Sequence, residues 1–577
     1  MDRVIEGLCN KFQSDHGLNA LPGDEVFECF VGYYFTKSLH EVDFDPQEFR
    51  MGGGGDLAID TAAIIINGDL LIDAADVIDA VDQAKSLDVH FILTQGKRSE
   101  GFSSAVFTEL ADNIKNIFSR NRIPYQSSPE IENLSKCVEA IYSNIAKFKP
   151  DLPSISVAYC TTGRTGDALL EQKRLSAESA IDDMNLFSSV NCFAVGAKEL
   201  RNYCRRATEA VEVEFSMPRK VSMPRIPNVE QAHLGLLPAK ELVRIITDPG
   251  GAIRKNLFYE NVRDFQDYNP VNLEIQSTIR DATKRNGFAV LNNGVTIVAR
   301  TLTVAGEDFV MSDFQIVNGC QTCHVLFDEK DLLADDTWVN VKIIQSKDEE
   351  VISGITAATN RQTAVTDEDL EAREHFHKEL EDLFSTYSDE KKLYYERRSQ
   401  QYRSVEGVER TRIISRGVLT RSFASMFLDE PARAGRYFKE LRDARKKDLF
   451  RDNQSPVAYY TSAFSIYRIE WLFRNRKVDR KYAAAKYQLL MGVKLILHGS
   501  TPLPEGNRKG RRYCEDILNI MWDPIKSEEI IQKLIPALNG AASAENDDES
   551  LSRDSVRTLK FTENFKKEVL KIRSQIK

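Results

Sequence analysis

The stretch "GGGGDLAIDTAAIIING" (residues 52–68), followed by "VHFILTQGKRSEGF" (89–102), decides how the N-terminal part of this chain is read. "TAAIIIN" and "HFILTQ" are short, apolar, β-rich runs that read as buried strands. Asp60 stands immediately before the first. Gln95 and Lys97 are alternate residues at the end of the second, so the period-two rule puts their side chains on one face. Glu28 falls in "DEVFECFVGYYFTKSL" (24–39), which has helical apolar spacing and an acidic start. Phosphodiester cleavage with a divalent cation needs oxygen ligands for a hard ion and a positive group or base beside the attacking water. Two neighbouring strands carrying Asp60, Gln95 and Lys97 supply those residue types, with Asp56 or Glu28 adding charge to a neutral Gln95 amide. The glycines let a backbone or a phosphate come close. The same residues also suit a flexible loop followed by capping aspartates, with Lys97 solvated beside Arg98. A nucleotide-cradling loop fits less well, because "GGGGD" precedes a strand instead of opening a helix.

Strand and helix patterns alternate on either side of this stretch. "AVFTELADNIKNIF" (105–118) reads as a helix, "SISVAYCTTG" (154–163) as a strand ending in a turn, and "VNCFAVGAKELRNYCRRA" as a strand running into a helix. The expected fold class is α/β (α+β), with a mixed sheet flanked by helices. A chain of 577 residues suggests roughly three domains. Three prolines in "SMPRKVSMPRIPN" (216–228) place a boundary after residue 208. The expected segments are 1–208, a linker 209–234, an α+β part 235–400, a helical and basic part 401–540, and a polar linker with a last helix, 541–577.

Five spaced motifs follow: "NLFYENVRDFQDYNPVN", "FAVLNNGVTIVA", "FQIVNGCQTCHVL", "ITAATNRQTAVTDEDL" and "YYERRSQQYR". In this order they resemble the AIPR family, the abortive-infection phage-resistance proteins of bacteria, over about 235–540. Farther upstream, "GGGDLAID" and "QGK" resemble the Mrr-like branch of the PD-(D/E)xK nucleases, with Gln95 where the wider superfamily has a second acid. The resemblance implies a restriction-endonuclease-like sheet in which Asp60 and Gln95 bind Mg²⁺, or Mn²⁺ in its place, with Asp56 alongside. Lys97 orients or activates water, and Glu28 supports the site. It further implies a cytoplasmic endodeoxyribonuclease serving phage defence, acting on phage or modified DNA under the control of its AIPR part. The alternative is a non-cleaving sensor or scaffold that binds nucleic acid, a nucleotide or a partner defence protein.

Read on its own residues, "FQIV" is a strand, Asn318-Gly319 a turn and "CQTCHVLF" the opening of a helix whose free N–H groups suit a phosphate. Asn318, Gly319, Gln321 and Thr322 are therefore candidate anion or nucleotide ligands, and equally candidate structural turns and caps. "NNG" after "FAVL" is another turn at a strand end. Cys320 and Cys323 have no second cysteine pair at finger spacing, so zinc is not expected. His375 and His377 read as ordinary surface histidines of a helix.

The net charge is −10, which excludes a global field for polyanions. Charge is nevertheless uneven: Lys391 to Arg451 hold 17 Lys/Arg against 8 Asp/Glu. Arg397, Arg398 and Arg403, interleaved with tyrosines, are the candidate nucleic-acid contacts. The start lacks the apolar segment of a secretory signal, no apolar run is long enough to span a bilayer, and nine scattered cysteines read as reduced thiols. A soluble cytoplasmic protein without membrane contact is expected. Double-strand cleavage calls for two sites, hence a homodimer.

Overall fold

The computed structural model describes the whole chain except residues 1, 41–43, 53–56, 120–127, 149–150, 209–211, 259–269, 361–366, 398–400, 403–404, 406, 436–440, 442–443, 446, 452–453, 505–506, 545–550, 552 and 577. Its N-terminal part is a three-layer sandwich. Helices α1 (Arg3–Asp15) and α2 (Gly23–Leu39) precede strand β1 (Thr61–Ile66), β2 (Asp69–Leu71), α3 (Ala74–Gln83) and β3 (Val89–Lys97). There follow α4 (Ala105–Phe118), α5 (Pro129–Tyr142), β4 (Ser154–Thr161), α6 (Ala168–Asp182), β5 (Ser189–Val195) and α7 (Ala197–Thr208). The sheet order is β2-β1-β3-β4-β5. β1 runs antiparallel to β2 and β3, while β3, β4 and β5 are parallel, so the sheet is mixed.

Both faces of this sheet are covered, which is why its strands read as continuous apolar runs. Phe91, Leu93, Ala62 and Tyr159 pack beneath α3, α4, α5 and α6. Ile92, Ala63, Ala158 and Cys160 pack beneath α1, α2 and α7. By alternation, Gln95 points to the first face and Gly96 to the second.

The second sheet has six strands: β6 (Glu212–Ser216), β7 (Arg219–Ser222), β8 (Gln231–Pro238), β9 (Val295–Ala305), β10 (Asp308–Asn318) and β11 (Trp338–Gln345), in the order β6-β10-β9-β11-β8-β7. Residues 209–234, expected as a linker, thus supply β6, β7 and the first residues of β8. Pro218, Pro224 and Pro227 do not prevent this, because they stand between strands and because β6 and β7 are the two edges, where a missing N–H is tolerated. α8 (Ala239–Ile246), α9 (Pro270–Arg280), the single turn α10 (Phe288–Leu291) and α11 (Cys320–Asp328) bury the apolar face of this sheet. "FAVL" is therefore a helical turn and not a strand. The chain turns extended only after Asn292, whose side chain accepts from the Gly294 N–H at 2.9 Å.

The C-terminal part is a helical layer around one large core to which the helices 367–386, 416–427, 456–474, 486–498, 507–521, 524–543 and 559–576 all contribute. The last helix, Leu559–Ile576, is integral to it: Phe561, Phe565 and Val569 are fully buried. Phe565→Ala is expected to destabilise this layer by about 3–5 kcal/mol through the lost burial and the cavity left behind. Urea titration followed by tryptophan fluorescence checks it; an unshifted transition would mean the terminal helix is an appendage.

Candidate functional site

Asp60 and Gln95 meet at the edge of the first sheet. Thr61 pairs with Thr94 in the antiparallel register, so Asp60 lies opposite Gln95. The Asp60 carboxylate accepts from Gln95 Nε2 at 3.1 Å and from the Gly96 N–H at 2.6 Å. Its own backbone is fixed on two sides, the N–H donating to the Thr94 carbonyl and the carbonyl accepting from the Met51 N–H, each at 2.8 Å. The chain reaches Asp60 through Leu57 and Ala58, both at positive φ (53° and 58°). Non-glycine residues in this region cost of order 1–3 kcal/mol each. The Asn113 side chain, donating to the Leu57 carbonyl at 2.7 Å, helps to hold that turn.

Gln95 is buried, and its Oε1 has no hydrogen-bond donor among the described residues. Exchanging the amide oxygen and nitrogen does not cure this, since Oε1 would then face the Asp60 carboxylate. A buried, unsatisfied carbonyl costs roughly 1–3 kcal/mol. A cation beside Asp60 offsets that cost and suits an oxygen-only donor pair. The residue types present suit a hard divalent ion, although the Gln95 amide turns Nε2 and not Oε1 toward Asp60.

Lys97 is solvent-exposed at the end of β3, on the Gln95 face by alternation. Glu28 comes from the other side of the sheet. A Cβ built on Gly96 would stand 3.6 Å from the Glu28 Cα and 2.8 Å from Val31 Cγ2, so only glycine lets α2 settle this closely on β3. The Glu28 carboxylate accepts from Arg50 Nε at 2.8 Å, and Arg50 Nη1 also binds Glu25 at 2.9 Å. Burial works against the Arg50 charge, but the Glu28 hydrogen bond and the fields of Glu28 and Glu25 outweigh it and raise its pKa. Glu28 is thus next to the strand end yet paired with a cation. Arg50 is the residue sequence reading passed over, although only Met51 separates it from the glycine run. Asp56 lies outside the described residues. Among the described residues no group of three or more His, Cys, Asp or Glu is placed to hold a metal.

The turn before α11 is built for packing. Gly319 has φ +97°, and a Cβ there would come within 2.8 Å of Val295 Cγ2 and 2.9 Å of the Gly294 carbonyl. Gln321 Oε1 accepts from Asn272 at 2.6 Å, and Thr322 exchanges hydrogen bonds with Asn292 at 3.1 and 3.2 Å. Asn318 ends β10 and has a further contact of its own. These polar groups tie α11 to α9 and to the turn before β9. Cys320 and Cys323 are buried thiols, and burial pushes the Cys323 thiol well up.

The arginine-tyrosine segment is likewise woven into the fold where it is described. Arg397 donates to Glu381 at 2.7 Å and is largely buried; Arg398 and Arg403 lie outside the described residues. Arg412 donates to the carbonyls of Glu390 and Lys392. Of the two histidines expected at the surface, only His375 is exposed; His377 is buried against Phe450 and bonded to the Tyr395 hydroxyl at 2.7 Å. Exposed cations stand instead at Arg508, Lys509, Arg511 and Arg512, in the first turns of the helix Asn507–Met521.

Residues 258–543 match the family model described as AIPR protein. The match takes in β9, β10, β11, α11 and most of the helical layer, but neither the first sheet nor β6, β7 and β8. No curated protein and no solved structure matches the chain. No described helix is long and apolar enough to cross a membrane.

Two substitutions separate ligand from packing roles. Gln95→Glu sets a second carboxylate against buried Asp60, so without metal one of the two carboxyls titrates late and the variant melts lower than wild type at neutral pH, recovering as pH falls. Mn²⁺ is expected to raise its melting temperature more than that of wild type; coincident melts in Mn²⁺ and EDTA would remove Gln95 from the ligands. Gly319→Ala is expected to cost about 1–3 kcal/mol from positive φ and the clash with Val295. Chemical denaturation showing no loss would return the turn to an open, ligand-facing role.

Proposed function

With residues 258–543 assigned to the AIPR family, we propose that this chain is a phage-defence protein whose N-terminal sandwich is a Mg²⁺-dependent DNA endonuclease regulated by the AIPR part. The observation that carries the reading is the Gln95 amide against the Asp60 carboxylate, its Oε1 without a donor among the described residues, on the strand that ends in Lys97. Asp60 and Gln95 hold the ion, with Mn²⁺ able to replace Mg²⁺. The bound ion supplies Lewis acidity toward a phosphate oxygen and lowers the pKa of a bound water. Lys97 supplies positive charge to the phosphate at the solvent-facing mouth, where its exposure leaves it available. Glu28, next to the strand end, supports the centre when Arg50 does not hold it. DNA is the substrate this chemistry suits, and Arg508, Lys509, Arg511 and Arg512 are an exposed place for its phosphates.

A second reading, a non-cleaving DNA or nucleotide sensor, draws support from the Glu28–Arg50 pair, which withholds the nearest additional carboxylate from Asp60. Cleavage of plasmid, linear and single-stranded DNA in Mg²⁺, Mn²⁺ and EDTA separates the two. The nuclease reading expects metal-dependent cutting by wild type and a loss of at least about a hundredfold in both Asp60→Asn and Lys97→Ala, with unchanged circular dichroism. Either variant cutting at the wild-type rate would displace the centre. DNA binding without cleavage by wild type would favour the sensor.

A further inference from the structure

A buried polar chain joins the two halves at the end of β3 opposite Gln95. His40, the residue that ends α2, places Nδ1 2.9 Å from Asp248 Oδ2 and Nε2 2.7 Å from His90 Nδ1; His90 Nε2 lies 2.9 Å from Ser156 Oγ. All four residues are buried. Asp248 follows α8 in the second half, His90 is on β3 and Ser156 on β4, so one carboxylate of the second half is wired to three elements of the first. The protons fit in line. His40 Nδ1–H donates to Asp248, His90 Nδ1–H donates to His40 Nε2, and Ser156 Oγ–H donates to His90 Nε2, leaving no buried nitrogen unpartnered. Burial, with His40 adding to it, pushes the His90 pKa down to about 3, in keeping with a neutral relay at that position.

The loop that delivers Asp248 is shaped for this seat. Asp248 Oδ1 accepts from the Ala252 N–H at 2.9 Å, and its carbonyl accepts from the Gly251 N–H at 3.0 Å, which closes "DPGGA" on itself. A Cβ on Gly250 would lie 2.5 Å from His40 Cε1, 2.6 Å from His40 Nε2 and 2.6 Å from the Leu39 carbonyl, so the loop backbone rests directly on the end of α2. A cavity of about 170 Å³ borders the loop, lined by His40, His90, Asp88, Lys330 and Gly250 among others. The other end of α2 is also held from the C-terminal part, by Arg476 against Glu25 at 3.3 Å. Glu28 lies between these two anchors.

We propose that the Asp248–Ala252 loop is an interdomain latch that pins α2 in the position where Glu28 faces Arg50, so that release of the loop frees α2 and speeds cleavage. The latch stands on geometry alone; its effect on cleavage rests on the nuclease reading above. The full-length chain is tested by hydrogen exchange and by Mg²⁺-dependent plasmid cleavage, in wild type, Gly250→Ala, which unseats the loop sterically, and Asp248→Asn, which keeps the shape and removes the charge. Exchange in the last turn of α2 is expected to be about tenfold faster in both variants, with the six-stranded sheet unchanged, as follows from losing a charge-assisted bond. Wild-type exchange rates in α2 of both variants overturn the latch, even if the wild type cuts DNA. Faster exchange throughout the six-stranded sheet also overturns it, because the effect is then global unfolding. Faster exchange confined to α2 and the loop establishes the latch even in a chain that never cuts. Where the wild type does cut, a cleavage rate in Asp248→Asn at least about threefold above it supports restraint, and an equal or lower rate overturns that regulatory sense.

Discussion

Helix α2 approaches the first sheet at two places where one partner is a glycine, and the rest of the N-terminal half is arranged around that approach. Gly32 lies where any Cβ would run into Thr61 on β1, and Gly96 lies where a Cβ would run into Val31 and approach the Glu28 backbone. Both glycines serve the same contact from opposite partners. Thr61 and Thr94, hydrogen-bonded through their hydroxyls at 2.5 Å, form the floor beneath it. Because the helix is this close, its carboxylates reach the strand ends, and Arg50 is needed to neutralise Glu25 and Glu28 together. Asp60 and Gln95 occupy the opposite, helix-covered face. The strand ends therefore carry two acidic neighbourhoods, one satisfied by a guanidinium and one beside an amide oxygen with no donor among the described residues.

The local part of this arrangement is visible in the sequence. Apolar runs of strand length, a helical repeat before them, and alternation along "TQGK" are near-neighbour properties, and they place Gln95 and Lys97 on one face. The antiparallel register that sets Asp60 opposite Gln95 is not encoded in those runs and appears only in the strand pairing. The Glu28–Arg50 pair spans 22 positions and the His40–Asp248 contact 208, and no periodicity encodes either. Prolines in 216–228 read as a break because a strand interior cannot hold them, yet they fall between β6, β7 and β8, whose bounds only the structure gives. "VNGCQT" and Arg397 look exposed in sequence because their residue types favour water. Gln321, Thr322 and Arg397 have tertiary partners in Asn272, Asn292 and Glu381 that no local pattern encodes.

Charge follows the same logic. An overall acidic chain tolerates cations because several are consumed internally: Arg412 by backbone carbonyls and the Tyr467 ring, Lys494 by Asp429, Arg468 by the carbonyls of Met521 and Trp522. A count of basic residues along a window thus overstates the polyanion surface, and the exposed cluster at 508–512 is set apart from the densest run.

The family match begins at residue 258, inside the second structural unit and not at its edge. β10 pairs with β6 and β11 pairs with β8, so both of these central strands find one neighbour before that point. A protein expressed from 258 to 543 would keep β9, β10 and β11 but lose their flanking strands. Rows of amide and carbonyl groups on both sides would then face solvent, a ready template for joining chain to chain. The smallest soluble piece of this half therefore starts before Glu212, whatever the boundaries of sequence similarity suggest.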